Sequence, residues 1–206
     1  MKKTCPLASR EGMPPGLKMQ KPKRKLCKRY DIEGDAHFLT FSCFQNQPFL
    51  SRERCCQWLA DSLASAQEEG FFDLWAYVFM PNHVHLILWP HEGVAVSRIL
   101  SRIKIPVTRK ASAWVKKNAP SFLKNMEDRR AGKITYRFWQ RGGGYDRNLR
   151  GTGELFEKID YIHKNPLRKN LVESTEEWYW SSCRNFTADG EGPIPLKTES
   201  MPIRCM

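Results

Sequence analysis

The sequence lacks the main features of a secreted or membrane protein. It contains no run of about 18 apolar residues, and its N-terminus has lysines and prolines where a signal peptide would have an apolar segment. The seven cysteines include no C-x-x-C pair, and an odd number of thiols does not complete a disulfide framework. We therefore predict a cytoplasmic protein with reduced cysteines and no membrane partner.

Common phosphate-binding and zinc-binding signatures are also missing. The glycines at 142–144 are not followed by the Lys-Ser/Thr pair of a P-loop, and no cysteine spacing matches a zinc ribbon. The three glycines instead predict a turn or bulge, where the backbone bends or closely approaches another segment.

Positive charge is present in excess and is unevenly distributed. The 206 residues carry a net charge of +12, and residues 1–30, with ten Lys or Arg and one Glu, hold +9 of it. Such an excess favours a polyanionic partner, most simply nucleic acid. We predict a basic, disordered extension over residues 1–35. Its cluster Lys23, Arg24 and Lys25 is either a DNA-holding arm or part of a solvated leader.

Apolar periodicity places the ordered domain at residues 36–186 and a flexible tail at 187–206. The predicted strands are 37–44, 71–80, 83–89 and 134–140, and the predicted helical regions are 51–69, 96–117 and 154–165. Pro106 predicts a kink or a split in the second helix, and Pro166 predicts the end of the third. Residues 118–133 are predicted to form a loop. This order indicates an α+β fold, and its first six elements match a ferredoxin-like sandwich with an antiparallel sheet.

Two histidines lie two positions apart at the start of an apolar run, residues 80–88. Because side chains alternate along a strand, His83 and His85 share one face, and Val84 and Leu86 face the opposite way, toward a core. Imidazoles about 7 Å apart can both turn toward one divalent cation or one phosphate. Ordinary surface or hydrogen-bonded histidines also fit this pattern.

The third helix predicts a buried stripe of Leu155, Ile159 and Ile162, with Tyr161 and Asn165 together on another face. A packing tyrosine and a C-terminal helix cap are the structural alternatives for these two residues. The second helix carries polar cations that form either a solvated face or a set of phosphate contacts. They are Arg98, Arg102, Lys104, Arg109 and Lys110.

Four blocks of the sequence resemble the single-tyrosine HUH transposases and are most similar to the REP-associated tyrosine transposases. The blocks are YVFMPNHVHLI at 77–87, FWQ at 138–140, YIHKNP at 161–166 and WYWSS at 178–182. The resemblance covers about residues 36–186 and leaves both tails outside. It implies an RRM-like sandwich with an added C-terminal helix that bears the nucleophile.

The resemblance also implies a site and a reaction. His83 and His85 correspond to the family's histidine pair, which binds Mg²⁺ or Mn²⁺, and Asn165 falls at the position of a polar third ligand. Tyr161 corresponds to the nucleophile. The implied activity is cleavage and strand transfer of single-stranded, hairpin-bearing DNA through a 5′-phosphotyrosine intermediate, as in DNA transposition. Relatives use this site either within a monomer or across a dimer, and the sequence leaves both open.

Two other functions are considered. The chain could be a domesticated protein that binds single-stranded nucleic acid without cutting it. A phosphoesterase with two histidine motifs would need a second His-x-Thr/Ser sequence, and none is present. The DNA sequence recognised is not predicted.

Overall fold

The computed structural model describes residues 32–187 and 190–202. The cluster Lys23, Arg24 and Lys25 lies outside these ranges. The strands are β1 Ala36–Ser42, β2 Phe72–Met80, β3 His83–Pro90, β4 Glu127–Arg130, β5 Lys133–Tyr136 and β6 Tyr145–Leu149. The helices are α1 Glu53–Glu68, α2 Val96–Asn118, α3 Thr152–His163 and α4 Asn165–Arg168. Within the described ranges, no helix combines the length and the apolar composition needed to cross a membrane.

Four strands form one antiparallel sheet in the order β2-β3-β1-β6. Strands β2 and β3 are joined by a tight turn at Pro81 and Asn82, as the sequence predicted. Strands β4 and β5 form a separate two-stranded sheet. The protein therefore has the predicted mixed α+β architecture with an antiparallel sheet.

The main sheet is buried on both faces. Val84 and Leu86 belong to a core formed with α1 and α2. Ile87, on the face that also carries His85, packs in a second core with Leu155 and Ile159 of α3. The alternation predicted for β3 is confirmed, but the histidine face is covered by a helix and is not an open surface.

The fourth strand of the sheet differs from the sequence prediction. It is β6, which pairs with β1, and not the segment 134–140. The predicted loop at 118–133 contains a 3-10 segment and strand β4, and β4 pairs with β5. Strand β5 overlaps the predicted strand 134–140 but belongs to the smaller sheet. Strands β4 and β6 are polar and mostly exposed, so they lack the apolar alternation by which a strand is detected in a sequence.

The two proline predictions differ in outcome. Helix α2 is not split at Pro106: it is one continuous element, and Ile99, Ile103 and Val107 on both sides of the proline are buried in the core. Helix α3 ends at His163, before Pro166 as predicted, but a second short helix, α4, follows at once. Pro166 lies within the first turn of α4, where its fixed φ and missing N–H are tolerated.

Residues 190–202 pack against β2, whereas the composition predicted a flexible tail from residue 187. Ile194 is buried, and its backbone N–H donates to the Tyr77 hydroxyl at 3.1 Å. The backbone N–H of Lys197 donates to the Leu74 carbonyl at 3.1 Å. These contacts cover part of the edge of β2, which would otherwise expose unpaired backbone groups. Proline and glycine content does not report such long-range contacts.

Gly144 is the point where the glycine run meets β1. Its φ is +81°, and a Cβ built on it would lie 2.0 Å from the carbonyl oxygen of Thr40. Only glycine fits this backbone conformation and this distance. The close approach predicted for the glycine run is confirmed at this residue.

We expect Gly144→Ala to destabilise the fold by about 3 kcal/mol, because the left-handed φ and the clash with Thr40 act together. In a chain of this size, that loss lowers the melting temperature by about 10 °C. Gly142→Ala is the matched control, since Gly142 has φ +85° but no atom within 4 Å of the added Cβ. Gly142→Ala should lower the free energy of unfolding by about 1 kcal/mol. Thermal melts with equal losses for the two variants would contradict the packing argument.

Candidate active site

The candidate site lies on the surface of the sheet where β1 pairs with β3. Thr40 lies opposite His85, and Ser42 lies opposite His83. Helix α3 then crosses this face of the sheet and presents Tyr161 near its C-terminal end. The four side chains predicted to act together, His83, His85, Tyr161 and Asn165, meet at this place within a single chain.

His85 is held at both ring nitrogens. Its Nδ1 lies 2.7 Å from the Thr40 hydroxyl, and its Nε2 lies 3.1 Å from Nδ2 of Asn165. An amide N–H donates, so Nε2 is the acceptor, and a neutral imidazole must then carry its proton on Nδ1. Nδ1–H donates to Thr40, which leaves the Nε2 lone pair directed into the site.

His83 is in the same tautomer as His85. Its Nδ1 lies 2.7 Å from the side-chain oxygen of Asn82 and donates to it, so its Nε2 also carries the lone pair. The rings of His83 and His85 are 4.8 Å apart at their centroids and nearly perpendicular. Both imidazoles thus expose an unprotonated nitrogen in the same tautomer.

Burial keeps both imidazoles neutral. Desolvation, together with the neighbouring His83, lowers the pKa of His85 to about 3. Desolvation is also the main cause of the lowered pKa of His83, with a further effect from the charge of Lys169. A neutral imidazole whose Nδ1–H is anchored and whose Nε2 is unprotonated is the form that binds a metal ion.

The donor set therefore fits a divalent cation. His83, His85 and Asn165 would hold it, and rotation of the Asn165 side chain brings its amide oxygen to where the amide nitrogen now contacts His85. Among the described residues, no three His, Cys, Asp or Glu side chains cluster as a metal site. The candidate site is made instead of two imidazoles and an amide.

Tyr161 is accessible although it belongs to a packed helix. Its side chain is 38% exposed, and its ring centroid lies 5.9 Å from that of His85. Phe38 stacks on His85 at 5.5 Å and meets Tyr161 edge-on at 6.2 Å, so it fixes the two rings relative to each other. The guanidinium of Arg168 lies 5.1 Å from the tyrosine ring centroid. A phosphate placed at this phenol would meet a positive charge.

The predicted cations of α2 do not form one patch. Lys104 and Arg109 line the same cleft beside the segment 135–143. The other three contact neighbouring side chains: Arg98 lies over the ring of Phe71, Arg102 pairs with Glu69, and Lys110 Nζ is 3.3 Å from Asp61. A solvated or paired face therefore describes these three better than a common phosphate surface.

Four residues of the site were not identified from the sequence. Thr40 is found only through strand register, and Phe38 lies on the same face of β1. Asn82 directly precedes His83, so its position in the sequence could have identified it as a hydrogen-bond partner of that ring. Arg168 was missed because no helix was predicted after Pro166.

We expect Thr40→Val to slow the reaction of this site about 10- to 100-fold, because outer hydrogen bonds orient metal-binding histidines. Valine keeps the shape of threonine but cannot accept the Nδ1–H of His85. Single-turnover rates and Mn²⁺ titrations of the folded variant measure the effect. Thr187→Val is a control, since within residues 32–187 and 190–202 that hydroxyl donates to the nearby Arg184 carbonyl and not to the site. Unchanged rates and Mn²⁺ affinity in Thr40→Val would rule out the orienting role.

Comparisons with known proteins identify two similar sequences and one similar fold. No protein-family model matches the chain. It is 25% identical over 168 residues to the REP-associated tyrosine transposase of Escherichia coli, covering 81% of this chain and 87% of that protein. It is 27% identical over 113 residues to a Haemophilus influenzae protein assigned to the same group, covering 54% of this chain and 58% of that protein.

A solved structure shares the fold. The structure of a REP-associated tyrosine transposase bound to a REP hairpin superposes with a TM-score of 0.60 at 22% identity, covering 86% of this chain and 98% of that chain. The predicted resemblance is confirmed: this chain is similar, at 25–27% identity, to two proteins that carry the name REP-associated tyrosine transposase.

Proposed function

We propose that this protein is a tyrosine transposase that cuts and rejoins single-stranded, hairpin-bearing DNA. The observation that carries the proposal is the meeting of an exposed phenol, Tyr161, with two neutral imidazoles and the Asn165 amide in one chain. The named relatives, and a neighbour whose structure contains a REP hairpin, support this substrate class. We also infer that the site works in cis.

In the proposed reaction, the Tyr161 oxygen attacks the scissile phosphorus, and the bond to the 3′ oxygen breaks. The tyrosine proton is lost, the leaving oxygen takes up a proton to become a free 3′-hydroxyl, and the phosphate stays attached to tyrosine. A later 3′-hydroxyl reverses these steps and joins strands without ATP. A bound divalent cation, Mg²⁺ or Mn²⁺, would polarise the phosphate oxygens. Arg168 adds a fixed positive charge beside the phenol.

We also propose a finer fold class for this domain. The order β1-α1-β2-β3-α2-β6, with β2-β3-β1-β6 across the sheet, fits a ferredoxin-like (RRM-like) sandwich in which β4 and β5 are inserted. Helix α3 is then the added element that carries the nucleophile over the sheet.

A labelled hairpin oligonucleotide with single-stranded flanks, incubated with the protein and Mn²⁺, tests the proposal. A 5′-phosphotyrosine link transfers a 3′-end label to the protein in a complex that survives denaturation, whereas a 5′-end label leaves on a shortened free strand. Transfer of the 5′-end label to the protein, with release of the 3′-end label, would exclude a 5′-phosphotyrosine link. Tight binding with no adduct under any divalent cation would favour the domesticated, non-cleaving binder.

A further inference from the structure

A cleft lined by basic side chains lies apart from the Tyr161 site. A cleft of about 530 Å³ runs between α2 and the segment 135–143. Lys104, Thr108 and Arg109 line it from the helix, and Arg137 and Arg141 line it from the facing segment. The cleft borders the core on the α1 and α2 side of the sheet, where Lys104 lies over the ring of Phe41.

The cleft keeps a positive charge after its internal ion pairs are counted. Arg137 and Arg141 both pair with the carboxylate of Asp128, whose pKa they hold below its usual range, Arg141 having the larger effect. One carboxylate faces two guanidinium groups, so a positive charge remains. Arg109 adds another, since it is exposed and forms no ion pair with any residue in the described ranges.

The shape and chemistry of the cleft fit one nucleic-acid strand. Guanidinium groups bind phosphate through paired N–H donors, and Thr108 and Gln140 add neutral hydrogen-bonding groups at the rim. Its volume is that of a pocket for a ligand of roughly drug size, about 300–1,000 Å³, which suits a short stretch of single strand and not a duplex.

A short backbone path links the cleft to the candidate site. Arg141 and Tyr145 are four residues apart, so at most about 14 Å of chain separates them. Tyr145 pairs with Thr40 across the sheet, and its ring meets Phe38 at 5.9 Å, the same ring that contacts Tyr161. A DNA strand that leaves Tyr161 past Tyr145 therefore reaches the cleft within about eight nucleotides.

We propose that this cleft is a second DNA subsite, which holds the phosphate backbone of the single strand adjacent to the one at Tyr161. The choice of ligand rests on the proposed function, but binding can be measured without cleavage. The Tyr161→Phe protein is therefore the reference, with a labelled single-stranded oligonucleotide as the probe and fluorescence anisotropy as the readout.

The test compares two adjacent cations on α2. Arg109→Gln and Lys110→Gln change the net charge equally, but only Arg109 lines the cleft. Loss of one phosphate contact should reduce the slope of log K against log salt by about 0.7, which weakens binding about fourfold at physiological salt. Lys110→Gln should change neither value. Equal effects of the two variants, or no effect of Arg109→Gln, would overturn the subsite.

Oligonucleotide length separates this inference from the proposed function. The difference between the two variants should disappear once the flank is too short to reach the cleft. The path from Arg141 to Tyr145 and on through the Phe38 ring to Tyr161 is at most about 26 Å, which is about eight stacked phosphates at about 3.4 Å each. If Arg109→Gln and Lys110→Gln differ in binding by the same amount at every oligonucleotide length, Arg109 does not contact the DNA strand that extends from Tyr161. Absence of a tyrosine adduct in the cleavage assay would reject the transposase function but leave these binding results interpretable.

Discussion

Tyr161→Phe is expected to abolish the covalent adduct with DNA and to leave DNA binding unchanged. Phenylalanine keeps the edge-on contact with Phe38 and the position over His85 but has no oxygen to attack phosphorus. Removal of an enzyme's nucleophile costs about 10⁴-fold or more in rate, so the adduct should fall below detection. Adduct yield on a 3′-labelled hairpin and anisotropy with the same oligonucleotide measure the two properties separately.

Tyr179→Phe is the matched control for this substitution. Tyr179 is also exposed, at 51%, but it packs on Trp180 and not on the histidines. Its adduct yield should equal that of the unmodified protein. If the Tyr161→Phe protein still forms an adduct, another residue is the nucleophile and the proposed mechanism is wrong. Loss of both adduct and binding, with an intact fold, would assign Tyr161 to recognition instead of chemistry.

His85→Ala is expected to slow adduct formation about 10²- to 10³-fold and to weaken Mn²⁺ binding. Stabilisation of a phosphoryl group by a cation is worth several kcal/mol, and each 1.36 kcal/mol is tenfold in rate. His85 is the best-anchored donor of the set, since Thr40 and Asn165 contact its two ring nitrogens. Single-turnover kinetics across a Mn²⁺ titration check the rate, and calorimetry without DNA checks the affinity.

His91→Ala controls for loss of an imidazole elsewhere. The His91 ring bonds the Gly70 carbonyl and Asp73, outside the candidate site. Its variant should keep its Mn²⁺ affinity and its adduct rate once folding is verified. If the unmodified protein is equally active with excess chelator, the cation has no role and His85 must act in another way. An unchanged Mn²⁺ affinity in folded His85→Ala would place any cation site elsewhere.

Local pattern was sufficient for the parts of the fold that have strong periodicity. Strands β2 and β3, the turn at Pro81 and the buried stripe of α3 lie where alternation and helical spacing predicted them. Strands β2 and β3 are almost wholly buried runs of apolar and aromatic residues, and the buried residues of α3 recur at helical spacing. The motif residues His83 and Tyr161 could be identified because each belongs to a short, distinctive block of sequence.

Polar elements and terminal segments could not be identified in this way. Strand β6 alternates exposed and half-buried polar residues, and it is a strand because β1 offers a free edge. The segment 190–202 is ordered because β2 has backbone groups to pair and a hydrophobic site for Ile194. These contacts join residues more than 100 positions apart, so no local window of sequence contains them.

The sequence by itself determined which groups are available for chemistry: two histidines on one face of a strand, and a tyrosine four residues before an asparagine. Only the tertiary structure decided that they meet in one chain, that both imidazoles are neutral, and that Thr40 and Asn82 orient them. The physical reason is that ring orientation and protonation depend on burial and on hydrogen bonds. Strand register and helix packing set both, across residues distant in sequence.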